Sequence, residues 1–143
     1  MIETIRFLKV AHGLWKARKL LLDAAWTQKT WARDAFQEPV HPYSIRARQY
    51  CLVGAIIAAN PDKGADYVPL SVEPGEKQTL TLSSRTAEDI YSFLKYFSAP
   101  FTFNDASGRT KQEVLDYLRT YMWKAFWMAL TPWNRIDLGW RKQ

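Results

Sequence analysis

From residue 4 to 25 the chain steps by three and four through Ile5, Leu8, His12, Trp15, Lys19 and Leu22, with Leu14, Leu21 and Ala25 beside them. That period predicts a long helix, with Gly13 as its weak point. The stretch 44–60 begins polar and ends almost wholly apolar, and no side chain from Tyr50 to Ala59 carries a charge. Pro42 and Ser44 are start signals and Asn60-Pro61 is a stop, so a helix over 44–59 is expected. A helix apolar all round must be covered all round, which makes it the central one, with Cys51 a turn or two inside it. Thr86-Ala-Glu-Asp89 resembles a capping box and opens a helix to about residue 97, with Ile90, Phe93, Leu94 and Phe97 on one face. Thr110-Lys-Gln-Glu113 is a full capping box. It opens a helix to about residue 130, striped by Val114, Leu118, Tyr121, Met122, Ala125, Phe126 and Ala129.

Between these helices the period changes. Trp26, Trp31 and Phe36 are five apart, which suits neither helix nor strand, so 26–40 reads as an irregular connection with an extended piece near 30–33. Trp26 and Trp31 are expected to cap the core. Residues 67–72 and 78–83 are the strand candidates, and the second alternates Thr with Leu. Glu73-Pro-Gly-Glu76 between them is a turn. The sum is a mainly α (α+β) fold: four helices near 4–25, 44–59, 86–97 and 111–130 with a small β-hairpin near 67–83, in one domain over 1–143. Residues 101–108 read as a loop with Asn104-Asp105 at its bend.

Composition narrows the class. Apolar residues make up 48% and aromatics 15%, too many for a disordered chain. One cysteine permits no internal disulfide. No apolar run reaches the ~18 residues of a membrane span, and the N-terminus lacks a secretory pattern. A cytoplasmic protein away from membranes is expected. The net charge of +6 is unevenly placed. Residues 1–60 hold nine Lys/Arg against four Asp/Glu, residues 61–109 five against seven, and residues 110–143 six against three. A basic face of that kind attracts nucleic acid or an acidic protein.

Three sets of residues together resemble an uncharacterised family of small bacterial and phage proteins: Trp26-x-Gln28 with Ala32-Arg33-Asp34; Tyr50-Cys51-Leu52-x-Gly54-Ala55; and Asn104-Asp105 with Arg109-Thr110 and Glu113-Val114-Leu115. The resemblance spans residues 26–60 and 101–119 and departs at Lys29-Thr30, where the family has small residues. It implies a shared fold and a phage or prophage source. It implies no activity, because that family has none assigned.

Candidate chemistry is sparse. Cys51 with His41 and Asp105 has the residue types of a nucleophile, a base and an orienting group, but a small thiol among Leu52 and Val53 also simply packs. Trp26, Gln28, Asp34, Asn104 and Asp105 are the candidates for a polar ligand pocket. Two scattered histidines and one cysteine give no metal-ligand spacing, no Gly-rich phosphate loop is present, and neither a cofactor nor a catalytic set is indicated.

The leading expectation is therefore a non-enzymatic interaction protein that binds a cellular protein, with Trp123, Trp127, Trp133 and Trp140 as interface candidates, since such surfaces favour Trp, Tyr, Met and Arg. The alternatives are nucleic-acid binding through Lys16, Arg18, Lys19, Arg46 and Arg48, and a small enzyme or ligand-binding protein. The hairpin or the C-terminal aromatics also offer a route to self-association.

Overall fold

The computed structural model describes residues 2–61 and 84–131. The expected hairpin near 67–83 and the tail bearing Trp133 and Trp140 lie outside the described residues. The described chain runs α1 (Ile2–Asp23), β1 (Ala25–Trp26), β2 (Ala32–Arg33), β3 (Gln49–Tyr50), α2 (Leu52–Ala59), α3 (Arg85–Phe97), α4 (Pro100–Asp105) and α5 (Lys111–Leu130). It is a mainly α fold carrying a small three-stranded sheet.

The longest pairing joins α1 to α5. Two contacts make it antiparallel. Arg18 Nε donates to the Leu115 carbonyl at 3.2 Å, and Lys111 Nζ, at the start of α5, donates at 2.7 Å to the Ala24 carbonyl just past α1. The face α1 turns inward is Phe7, Val10, Leu14, Ala17 and Leu21. The other stripe, Ile5, Leu8, His12, Trp15, Lys19 and Leu22, is exposed throughout. Both stripes have helical period, so periodicity alone names two faces; contact with α2, α3 and α5 decides which one is covered.

The expected central helix is shorter than 44–59. α2 begins at Leu52, and Cys51 is its N-cap rather than an interior residue, with the thiol sulfur accepting from Gly54 N at 3.2 Å. Ser44 instead closes a turn: its carbonyl accepts from Ala47 N and its hydroxyl oxygen from Arg46 N. Gln49 and Tyr50 are extended because β3 lies between two neighbours, parallel to β1 and antiparallel to β2. Pairing on both edges satisfies backbone groups that a longer helix would have satisfied internally. The central position itself holds: residues 52–57 are all buried. Gly54 is obligatory there, because a Cβ would drive into the Trp31 carbonyl, whose oxygen accepts from Cys51 N at 2.9 Å.

α3 is capped by Ser84, whose hydroxyl accepts from Ala87 N at 2.9 Å, two residues ahead of the expected Thr86. Asp89 is thereby released from capping and binds Arg6 of α1 through two hydrogen bonds of 3.3 and 3.1 Å. The expected loop at 101–108 is partly the short helix α4, started by Pro100 at its first turn, where a missing N–H is harmless. The capping box at Thr110 and Glu113 is present with both of its bonds. Trp31 is buried and Trp26 half-buried against the core, as their capping role requires.

Candidate functional site

Asn104 is 1% exposed and its amide is fully used. Oδ1 accepts from Trp26 Nε1 at 2.7 Å and from Leu52 N at 3.0 Å; Nδ2 donates to the Thr27 carbonyl at 3.2 Å and to Asp105 Oδ1 at 2.9 Å. Gln28 Nε2 donates to the Asn104 and Ala106 carbonyls, and Asp105 Oδ1 also accepts from Lys29 N. The structure thus brings Trp26, Gln28, Asn104 and Asp105 together, as a clasp tying β1, the first turn of α2 and α4. The Asn104 amide and Asp105 Oδ1 are turned inward on these partners. Asp34 is not among them. It sits in the turn 34–38, where Oδ1 accepts from Phe36 N at 2.8 Å and Glu38 N at 3.0 Å while Gln37 adopts a φ of 67°.

Cys51 stands at a helix start, a position whose dipole lowers a thiol pKa. Burial wins nevertheless: the thiol is pushed up from 9.0 to about 12, chiefly by desolvation and further by the Asp105 carboxylate. At neutral pH it is a protonated cap. His41 Nδ1 accepts from Tyr43 N at 3.1 Å, its ring packs against Trp31 and Tyr43, and burial lowers its pKa. No hydrogen bond joins it to Cys51. Among the described residues no group of His, Cys, Asp and Glu is clustered to hold a metal ion.

The basic residues do not form one helical face. Lys16, Arg18 and Lys19 lie on α1, but Arg46 is in the turn before β3, and Arg48 Nη1 donates to the Ile45 and Ala47 carbonyls at 2.9 Å.

What the sequence did not single out is a groove of about 630 Å³ between α1 and α5. Leu8, Ala11, His12, Trp15 and Arg18 form one wall, and Arg119, Met122, Trp123 and Phe126 form the other. It joins Trp123 and Arg18, assigned separately in the sequence to a protein interface and to nucleic acid. Trp15 and Trp123 are 46% and 48% exposed and Leu8 41%, so large apolar side chains face solvent on both walls. The rings are held: Trp15 stacks on His12 at 5.8 Å with Lys19 Nζ over it at 5.2 Å, and Trp123 meets Phe126 edge-on at 5.7 Å. Trp127, 58% exposed, extends the aromatic strip from Phe126 toward the end of α5. The exposed steps of Leu8, His12 and Trp15 were legible as a stripe, but which stripe faced outward was not.

The sequence profile of DUF6197, a family of unknown function, matches residues 8–122. The chain belongs to this family. The match takes in both resembling segments, 26–60 and 101–119, and so bears out the expectation of an uncharacterised family. It runs from Leu8 to Met122, both of which line the groove, and stops just short of Trp123. No curated protein and no solved structure matches the chain. No helix among the described residues is long and apolar enough to cross a membrane.

Proposed function

We propose that this protein is a non-enzymatic interaction module that seats a segment of a partner protein in the groove between α1 and α5. The observation that carries the reading is the pair of exposed tryptophans, Trp15 and Trp123, on opposite walls of one groove. Monomers rarely leave contiguous apolar surface of this kind uncovered without a use for it. Trp, Met and Arg, all present here, are enriched at protein interfaces. The two other candidate sites offer less: the Asn104 amide is spent on internal hydrogen bonds and Cys51 is buried and protonated. A cytosolic setting fits the single, reduced, buried thiol, and a phage or prophage source rests on the sequence resemblance.

The test is affinity capture with the tagged full chain, with and without nuclease treatment, comparing the native protein with Trp15→Ala and Trp123→Ala. A stoichiometric protein retained by the native chain and lost from both variants, with unchanged circular dichroism, supports the reading. Equal capture by all three moves the interface off the groove and overturns it. Recovery of nucleic acid in place of protein, weakening steeply with salt, would transfer the role to the basic residues of α1.

A further inference from the structure

We infer that the occupant of the α1–α5 groove is an amphipathic helix carrying carboxylates at one end of its apolar face. The inference rests on the docking role proposed above and specifies its ligand. The polar groups that line the groove are almost all donors. The indole N–H groups of Trp15 and Trp123 have no acceptor among the described residues, and Arg18 and Arg119 have no carboxylate partner there. Arg18 spends only Nε, on the Leu115 carbonyl. Asp116, one turn before Arg119, is held by Gln112 Nε2 at 2.9 Å and forms no ion pair with it. Among the lining side chains only His12, and weakly the Met122 thioether, can accept. A surface of donors is complemented by acceptors, and guanidinium groups pair most strongly with carboxylates.

The groove is also polarised along its length. Because α1 and α5 are antiparallel, with Arg18 reaching Leu115, Arg18 and Arg119 fall at one end, while Leu8 and Phe126 form the other. From Leu8 to Arg18 the α1 wall is about 15 Å long at 1.5 Å per residue, which accommodates roughly three turns of a docked helix. An occupant must therefore present apolar side chains at i, i+3 or i+4 and i+7 along the Leu8, Met122 and Phe126 part and acidic ones beside the arginines. Charge disfavours a second copy and the C-terminal segment as occupants. A second copy would set two like-charged grooves together in a chain of net charge +6. The segment 133–143 carries Arg135, Arg141 and Lys142 against Asp137 alone.

The experiment is selection from a displayed library of helix-forming peptides on the immobilised full chain, followed by titration of a synthetic consensus peptide read by tryptophan fluorescence. The expected consensus has the helical apolar spacing and an excess of Asp and Glu toward one end. Its affinity falls about tenfold or more with Trp123→Ala. It falls similarly with Arg119→Glu and largely recovers with Arg119→Lys, because a charge is restored. Substituting Lys for the peptide's acidic residues weakens binding to the native chain and improves it to the Arg119→Glu variant.

Apolar peptides without an acidic excess, lost with Trp123→Ala but indifferent to Arg119→Glu, would overturn this inference and leave the docking reading standing. The absence of any peptide sensitive to Trp123→Ala would overturn both. A dimer in sedimentation that Trp123→Ala dissociates, or peptide binding gained on removing residues 132–143, would give the groove to a second copy or to the chain's own tail. A single-stranded oligonucleotide that displaces the peptide and depends on Trp123 would give it to nucleic acid.

Discussion

Asn104 shows how a single side chain that looks like a ligand group can belong to the architecture. Its Oδ1 is the acceptor for Trp26 Nε1 and Leu52 N, both distant in sequence. Asn104→Ala would strand the buried Leu52 N–H, at about 1–3 kcal/mol, and take the acceptor from the half-buried Trp26 indole, and urea unfolding should show a correspondingly lower midpoint. Cys51 makes a complementary case. A thiol whose pKa is raised on folding, here from 9.0 to about 12, contributes stability that is complete below pH 9 and is lost as pH rises toward 12. In that window the unfolded chain has released the proton and the folded one still holds it. Native protein should therefore lose stability between pH 9 and 12 more steeply than Cys51→Ala, as read from urea midpoints across the range. At neutral pH its thiol should react with alkylating reagents only after unfolding. Asn104 and Cys51 were visible as polar residues of interest, but a sequence does not say whether a polar group faces solvent or another polar group.

Among the elements, α1 carries the clearest consequence. Its two apolar stripes have the same period and opposite fates. Leu14→Ala, on the covered stripe, should cost ~2–5 kcal/mol through lost burial and a residual cavity. Ile5→Ala, on the exposed stripe, should stay within about 0.5 kcal/mol; thermal denaturation of the pair checks the contrast. α2 carries a different constraint. Gly54→Ala pushes a methyl group into the backbone carbonyl of Trp31, which cannot rotate away as a side chain would. A loss of ~1–3 kcal/mol or more is expected, typical of overpacking, and should appear as a lowered melting temperature. The start of α5 was fully legible, because a capping box is local and Thr110 and Glu113 need no distant partner. The start of α2 was not: Gln49 and Tyr50 are drawn into the sheet by Ala25, Trp26, Ala32 and Arg33.

For the whole molecule, α1 touches α2, α3 and α5, and a largely continuous buried cluster runs through all four helices. Far-ultraviolet dichroism and tryptophan fluorescence should therefore report one coincident unfolding transition, since no described helix has a core of its own. The same packing creates the groove, which belongs to neither helix by itself. By itself the sequence determined four of the helices in outline, the Thr110 cap, the buried middle of α2 and membership in an uncharacterised family, because period, capping chemistry and an unbroken apolar run act over a few neighbouring residues. Tertiary structure alone decided which stripe of α1 is covered, where α2 begins, that Asn104 is a clasp and Cys51 a cap, and that Trp15, Arg18, Arg119 and Trp123 share one surface. Each of these depends on partners far away along the chain, and only packing fixes which of several chemically equivalent faces is removed from water.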